Sequence, residues 1–307
     1  MNKHQPTNIS ASIRGRLLHR SRKMQRPFAE VLQYYAIERF LHRLACSPFR
    51  EKFFLRGALL FIAWHAEKHR PTMDIDLLAK MENSKDNLEK IIRELCELQI
   101  QENDGIVFLA NTVKGEEIQL KAEYAGVRLS FQALLSDAKI FMQIDVGFGD
   151  VISPEPALLA FPSLLEGFVP SEIKGYTRET LVAEKLHAMV RRQLDNTRMK
   201  DFFDIWFVSE QFIFSGSSLA KAIMATFKRR KTNIPEGILS LLEALRTNPE
   251  KNQQWQAFLK KNIFQYHVPQ LFEILERIEH FLNPVVASLH KNSFFEGRWG
   301  PKGPWKE

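Results

Sequence analysis

"RPTMDIDLLAK" runs from Arg70 to Lys80. Asp74 and Asp76 stand two apart in it, among Met73, Ile75, Leu77 and Leu78. The apolar content reads as a strand, and in a strand residues i and i+2 project from the same face. The two carboxylates therefore share one face, with Ile75 and Leu77 on the other. Like charges at that spacing repel, and burying them without partners is costly. A divalent cation is the simplest compensation, because Mg²⁺ prefers carboxylate oxygens.

A second apolar run, "KIFMQIDVGFGD" (Lys139–Asp150), places Asp145 alone between Ile144 and Val146. Beside the first pair it makes a triad able to hold two metals. Two ions about 3.5–4 Å apart can activate an attacking hydroxyl and stabilise a leaving oxygen in phosphoryl transfer. Gly147 and Gly149 also allow Asp145 to be a turn acid at a strand end. Upstream, "FFLRGALLFIAWH" (Phe53–His65) reads as a buried strand at Phe53–Leu55, a turn at Gly57 and a helix over 58–65. A glycine between strand and helix lets backbone approach a phosphate, and helix N-terminal amides favour anions. Arg56 lies on the same turn, where a phosphate contact and a structural role are both open.

The rest of the chain divides around these segments. Residues 1–27 form a basic N-terminal segment; up to residue 26 it holds seven Lys or Arg and no acid, with a short amphipathic helix from Ser12. A solvated helix face or a nucleic-acid contact would each explain it. Residues 28–152 read as an α/β domain, opened by a helix over Phe28–Leu44 and containing a helix over Asn87–Leu98. Two or three antiparallel strands follow over 106–131, divided by Gly105, Gly115 and Gly126. Ser153–Pro170 is a proline-containing linker. Residues 171–290 are helical, and 291–307 are a tail whose Gly and Pro content denies it regular structure while its two tryptophans dock on the body. The fold class is α+β: a mixed β-sheet with flanking helices, then a helical C-terminal domain.

Composition narrows the function. Lys and Arg number 43 against 36 Asp and Glu, for a net charge of +7 and a pI near 9.3, which suits an anionic partner. Two cysteines without a CxxC or a His/Cys cluster exclude a structural zinc and a disulfide framework, pointing to a reducing, cytoplasmic setting. No apolar run is long enough for a membrane span, and the first residues lack the apolar block of a signal peptide.

The helical half carries two more charged patterns. In "AEKLHAMVRR" (Ala183–Arg192), Lys185 and Arg192 are two turns apart and share a face; Arg191 is the register alternative. Two cations on one face can grip a triphosphate, and equally can be a solvated basic stripe. In "MKDFFDIWFV" (Met199–Val208), Asp201 and Asp204 share a face three apart.

A strand, a glycine turn, a helix, an apolar–Asp–apolar–Asp strand and a later single-Asp strand together resemble the nucleotidyltransferase superfamily that includes DNA polymerase beta. That superfamily usually carries Gly-Gly or Gly-Ser at the turn; Gly57-Ala58 here leaves phosphate contact to backbone amides. The two helical motifs, with "RPTMDIDLL", "QIDVGFGD", "YYAIERFLHRLACS" (Tyr34–Ser47) and the Trp-Gly-Pro tail, resemble the AbiEii/AbiGii toxin family of abortive-infection, type IV toxin–antitoxin systems, over about 28–305. The resemblance implies a fold of the nucleotidyltransferase type and an enzyme of the EC 2.7.7 kind. It implies an NTP substrate, catalytic roles for Asp74, Asp76, Asp145, Lys185 and Asp201, and phosphate or nucleotide contacts at Arg56, Gly57, Arg192 and Asp204. It also implies a tRNA acceptor, a block on translation and a cognate antitoxin. The alternatives are a catalytically silent nucleotide- or antitoxin-binding module, or transfer to a small molecule or a protein.

Overall fold

Phe53–Leu55 is apolar without alternation, as a strand buried on both faces must be. In the computed structural model, which describes residues 8–66, 69–120, 124–262, 264, 266–293 and 295–307, it lies inside a seven-stranded mixed sheet. The chain forms two units: residues 1–65, 72–149 and 157–175, and residues 66–71, 150–156 and 176–307.

The first unit holds helices α1 (Ile9–Met24), α2 (Phe28–Cys46), α3 (Leu59–Ala63) and α4 (Lys85–Glu97). Its strands are β1 (Phe53–Arg56), β2 (Ile75–Ala79), β3 (Ile106–Leu120), β4 (Tyr124–Leu135), β5 (Ala138–Phe148), β6 (Ala157–Phe161) and β7 (Ser171–Gly175). The order across the sheet is β3-β4-β5-β2-β1-β7-β6. β2 runs parallel to β5 and β1 parallel to β7, and the other neighbours are antiparallel. α2 lays Val31, Tyr35, Phe40, Leu41 and Leu44 into the core. The Ser84 side chain caps α4 by accepting from the Asn87 amide.

The second unit is mostly helical: α5 (Arg178–Arg192), α6 (Met199–Gln211), α7 (Gly216–Arg229), α8 (Leu239–Thr247), α9 (Pro249–Lys261) and α10 (Leu271–His290). Thr177 caps α5 through the Thr180 amide, and a buried stripe of Leu181, Val182, Leu186 and Met189 follows. Three two-residue strands, β8 (Phe214–Ser215), β9 (Arg298–Trp299) and β10 (Trp305–Lys306), form a small sheet in the order β10-β9-β8.

Three expectations from the sequence need correction. Ser153–Pro170 is not a linker: β6 lies within it and pairs with β7 as a hairpin on the seven-stranded sheet, so the first unit extends to Gly175 rather than ending at 152. Gly115 and Gly126 do not divide strands; both pair within the β3–β4 ladder. A Cβ on Gly115 would lie 2.9 Å from the Lys85 side chain and 3.0 Å from that of Glu89, so this glycine admits α4. The tail carries β9 and β10, and its tryptophans supply the reason. Trp299 is fully buried and donates to the Ser209 carbonyl at 2.8 Å, while Trp305 donates to that of Phe281 at 2.9 Å. Among the described residues, no helix is long and apolar enough to cross a membrane.

Candidate active site

Within the first unit, register assembles the site. Antiparallel β1 and β2 set Arg56 opposite Asp76; parallel β2 and β5 set Asp76 opposite Asp145; antiparallel β5 and β4 set Asp145 opposite Arg128. Residues opposite one another in a sheet project from the same face. One rung therefore reads Arg–Asp–Asp–Arg across four strands, two acids bracketed by two cations.

Arg128 grips Asp145 with both arms: Nε donates to Oδ1 and Nη2 to Oδ2, each at 2.8 Å. The hydrogen bonds to Asp145 hold the guanidinium pKa well above its ordinary value, and the charges of Asp145, Glu116 and Asp74 add to this against partial burial. Asp145 is 8% exposed, and its remaining described contact is a long one, 3.5 Å, from Gln143 Nε2. Arg56, also buried, lays its guanidinium over Gly147, where a Cβ would come within 2.6 Å of Nη2.

Gly57 follows Arg56 with φ +71, a conformation favoured by glycine, and a Cβ there would meet Asp76 Oδ2 at 2.1 Å. The glycine turn thus seats the Asp76 carboxylate. α3 beyond it has five residues, too short a helix to contribute much dipole. Asp74 precedes β2 by one residue and is exposed, so the acid pair is not deeply buried as its apolar surroundings suggest.

The fit to a divalent cation is uneven among these carboxylates. Asp76 is half-buried, and among the described residues none is hydrogen-bonded to or ion-paired with its carboxylate. Its carboxylate chemistry, with that of Asp74 two residues away, suits a hard cation. Each oxygen of Asp145 accepts one N–H from Arg128 and keeps a further lone pair. Among the described residues, no group of three or more His, Cys, Asp or Glu side chains is gathered to hold a metal. The electrostatic cost ascribed to the acids is met on the rung itself, by Arg56 and Arg128.

In the second unit, α5 and α6 join through a buried cluster. Lys185 Nζ lies 2.9 Å from Asp201 Oδ1 and 2.7 Å from Asp204 Oδ2. Arg70 donates to both oxygens of Asp204, at 2.8 and 3.0 Å, and Arg198 pairs with Asp201 at 3.1 Å. Burial alone would push the Lys185 pKa down and that of Asp204 up. The opposite charges outweigh it, raising Lys185 and lowering Asp204. Lys185 is thus committed to the two aspartates. Arg192 sits half-exposed in the last turn of α5, and Arg191 beside it is exposed.

Arg128 and Arg70 are the residues that sequence reasoning missed. The signal for Arg128 was its place between Val127 and Leu129, a lone cation in an apolar strand that mirrors Asp145 between Ile144 and Val146. Arg70 stands at the head of the first stretch quoted, and nothing in its neighbours points to Asp204, 134 residues on.

An aspartate pair on the central strands of a mixed sheet, a glycine turn against one carboxylate and a separate helical unit are the features of a nucleotidyltransferase-type protein. A family model described as "Nucleotidyl transferase AbiEii toxin, Type IV TA system" matches residues 39–277, and the chain belongs to this family. Two solved structures from Helicobacter pylori are similar, each with a TM-score of 0.49 and 13% identity. One, JHP933, aligns over 86% of this chain and 92% of its own; the other, described as a candidate nucleotidyltransferase, over 85% and 95%. No curated protein matches the chain.

Proposed function

We propose that this chain moves a nucleotidyl group from an NTP to a hydroxyl of an RNA acceptor, tRNA foremost, and that this modification blocks translation until a cognate antitoxin restrains it. The observation that carries the reading is the Asp76 carboxylate, fixed on the central strand against Gly57 with no described residue bonded to it. Asp74 and Asp76 would hold Mg²⁺. When bound, the ion supplies positive charge to the triphosphate oxygens and acidifies the attacking hydroxyl. Gly57 keeps Asp76 in place, and Arg56 and Arg128 offset the acids on either side. In the helical unit, Lys185 is held by Asp201 and Asp204, with Arg192 as the cation nearer solvent. The setting in which it would act is the cytoplasm.

Support for an RNA acceptor comes from α1, which contains no acid. Arg16, His19, Arg20 and Lys23 line one flank of it, and with Leu164–Glu166 they border an open groove of about 570 Å³. Such a flank suits a phosphodiester backbone.

A second reading has one observation behind it. The rung is charge-balanced without a metal, so the acids could persist in a silent, nucleotide- or antitoxin-binding relative. Incubating the protein with Mg²⁺, each of the four labelled NTPs and total tRNA, with Asp76→Asn alongside, separates the two. Label on RNA with the wild type alone is the result expected. Label on a small molecule or on protein would move the acceptor, and no label from any NTP would leave the silent reading.

A further inference from the structure

We propose that the open face of β3, β4 and β5 is a stacking platform for the unpaired end of the RNA acceptor, with Phe141 as the ring on which a base lies. The inference rests on the RNA reading above and names where that RNA end lies.

Register fixes which side chains share this face. In β5, Met142 and Ile144 are buried, while Phe141, Gln143 and Asp145 project from the opposite side. Gln33 of α2 reaches Met142, and α4 packs against Gly115, which is in register with Leu129 and through it with Ile144. Both helices therefore lie on the buried side. Opposite Phe141 stands Gln132 of β4, and opposite that Leu109 of β3. Phe141 is 61% exposed and pairs with no other ring among the described residues. Val107, two residues before Leu109 on the same face, is 57% exposed. An apolar patch rimmed by polar side chains marks a binding surface.

An unpaired base fits this one. Its π face stacks on an aromatic ring whatever the sequence. The exposed Gln132 amide forms no hydrogen bond among the described residues, and can both donate to and accept from a base edge. Lys139, exposed two residues before Phe141, suits a phosphate. Amides and a lysine among the apolar groups favour RNA over a protein partner on this face. Both ends of the face lead to surfaces that the acceptor must meet. Four strand residues of about 3.4 Å each separate Phe141 from Asp145, so a chain stacked there has about 14 Å to bring its terminal hydroxyl to the acids. At the other end lies the basic helix α1. Its Ser10 donates to the Gly105 carbonyl just ahead of β3, and its Arg14 pairs with Asp137 in the β4–β5 turn at 3.6 Å.

The test is binding of a short single-stranded RNA, carrying 2-aminopurine near its 3′ end, to the full chain in EDTA, where neither turnover nor a metal takes part. Stacking quenches the fluorescence of this base. The wild type should bind and quench. Phe141→Leu, apolar but without a π face, should bind about tenfold more weakly and lose the quenching, whereas Phe141→Trp should keep both. Blunt duplex RNA should bind wild type and Phe141→Leu alike, since its bases are not free to stack. Phe141→Leu with wild-type affinity and quenching would overturn the inference, leave the RNA reading standing and give the face to a protein partner. Wild-type binding without quenching would overturn it as well, as would an equal loss of duplex binding in Phe141→Leu. No RNA bound by the wild type would remove both the inference and the RNA reading.

Discussion

Asp76 of β2 and Asp145 of β5 face each other in a parallel register, and the two are not equivalent: the Asp145 carboxylate is clamped by Arg128, while no described residue is bonded to the Asp76 carboxylate. Chemistry assigned to the pair as a whole therefore falls first on Asp76. Asp76→Asn is expected to reduce nucleotidyl transfer by about 10²–10³-fold, as removal of a preorganised electrostatic group does. Its stability should stay within about 1 kcal/mol of wild type, since the side chain is half-buried and makes no described bond. Transfer assays paired with denaturant melts check both parts.

Gly57→Ala should act on the same carboxylate from the other side. The methyl would meet Asp76 Oδ2, and φ +71 is strained for alanine. A stability loss of about 1–3 kcal/mol is expected from the backbone conformation, together with loss of transfer because Asp76 is pushed from its seat. A fully active Gly57→Ala protein would show that the seat is unimportant.

The Lys185–Asp204–Arg70 cluster gives a pH dependence with a definite sign. The Asp204 pKa is lowered in the folded chain, so its contribution is complete above its ordinary value of 3.8 and is lost as pH falls through the folded value. The Lys185 pKa is raised, so its contribution is complete below its ordinary value of 10.5 and is lost as pH rises through the folded value. Asp204→Asn removes the acid that Arg70 and Lys185 share, and should destabilise by about 3–5 kcal/mol, the usual cost of leaving buried charge uncompensated. A stability–pH profile of this variant should have lost much of the wild-type fall on the acid side.

Trp299→Ala tests whether the end of the chain is structural. The indole is fully buried, donates to Ser209, and packs so closely on Gly303 that a Cβ there would come within 2.5 Å of the ring. A loss of about 3–5 kcal/mol is expected for so large a side chain. A melting temperature unchanged from wild type would return the segment to the status of an appendage.

Arg20→Glu with Lys23→Glu should weaken RNA binding and flatten its dependence on salt. With each phosphate contact adding about 0.9 to the slope on duplex and about 0.7 on single strands, losing two should reduce it by about 1.4–1.8. Fluorescence anisotropy across a salt series measures this directly. An unchanged slope would place the RNA elsewhere on the protein.

Much of this was legible in the sequence because local chemistry wrote it. The helices α2, α4, α5 and α6 showed their apolar stripes, and β1, β2 and β5 their apolar runs. What stayed hidden depended on partners distant in the chain. Arg128 looked like one cation in a strand until pairing set it against Asp145. Arg56 and Arg128, which flank the acids on the rung, come from two other strands and are invisible from the acids' own neighbours. Gly115 looked like punctuation because the α4 side chains it accommodates cannot be seen from its neighbours. β6 was lost in a proline-containing stretch, since a five-residue strand is recognisable chiefly by its partner.

β1 is buried along its whole length, yet one of its two neighbours is β7, with Leu55 opposite Gly175. On a growing chain, β1 and β2 exist long before β7 has been made. Until then an apolar strand at the heart of the sheet is an open edge, able to recruit any stray strand that passes. Fragments ending near residue 152 would freeze that stage, and a soluble product from such a fragment should not be expected without a chaperone. The late hairpin of β6 and β7 is what closes the edge, so the nascent protein remains vulnerable to aggregation until well past its last aspartate on the rung.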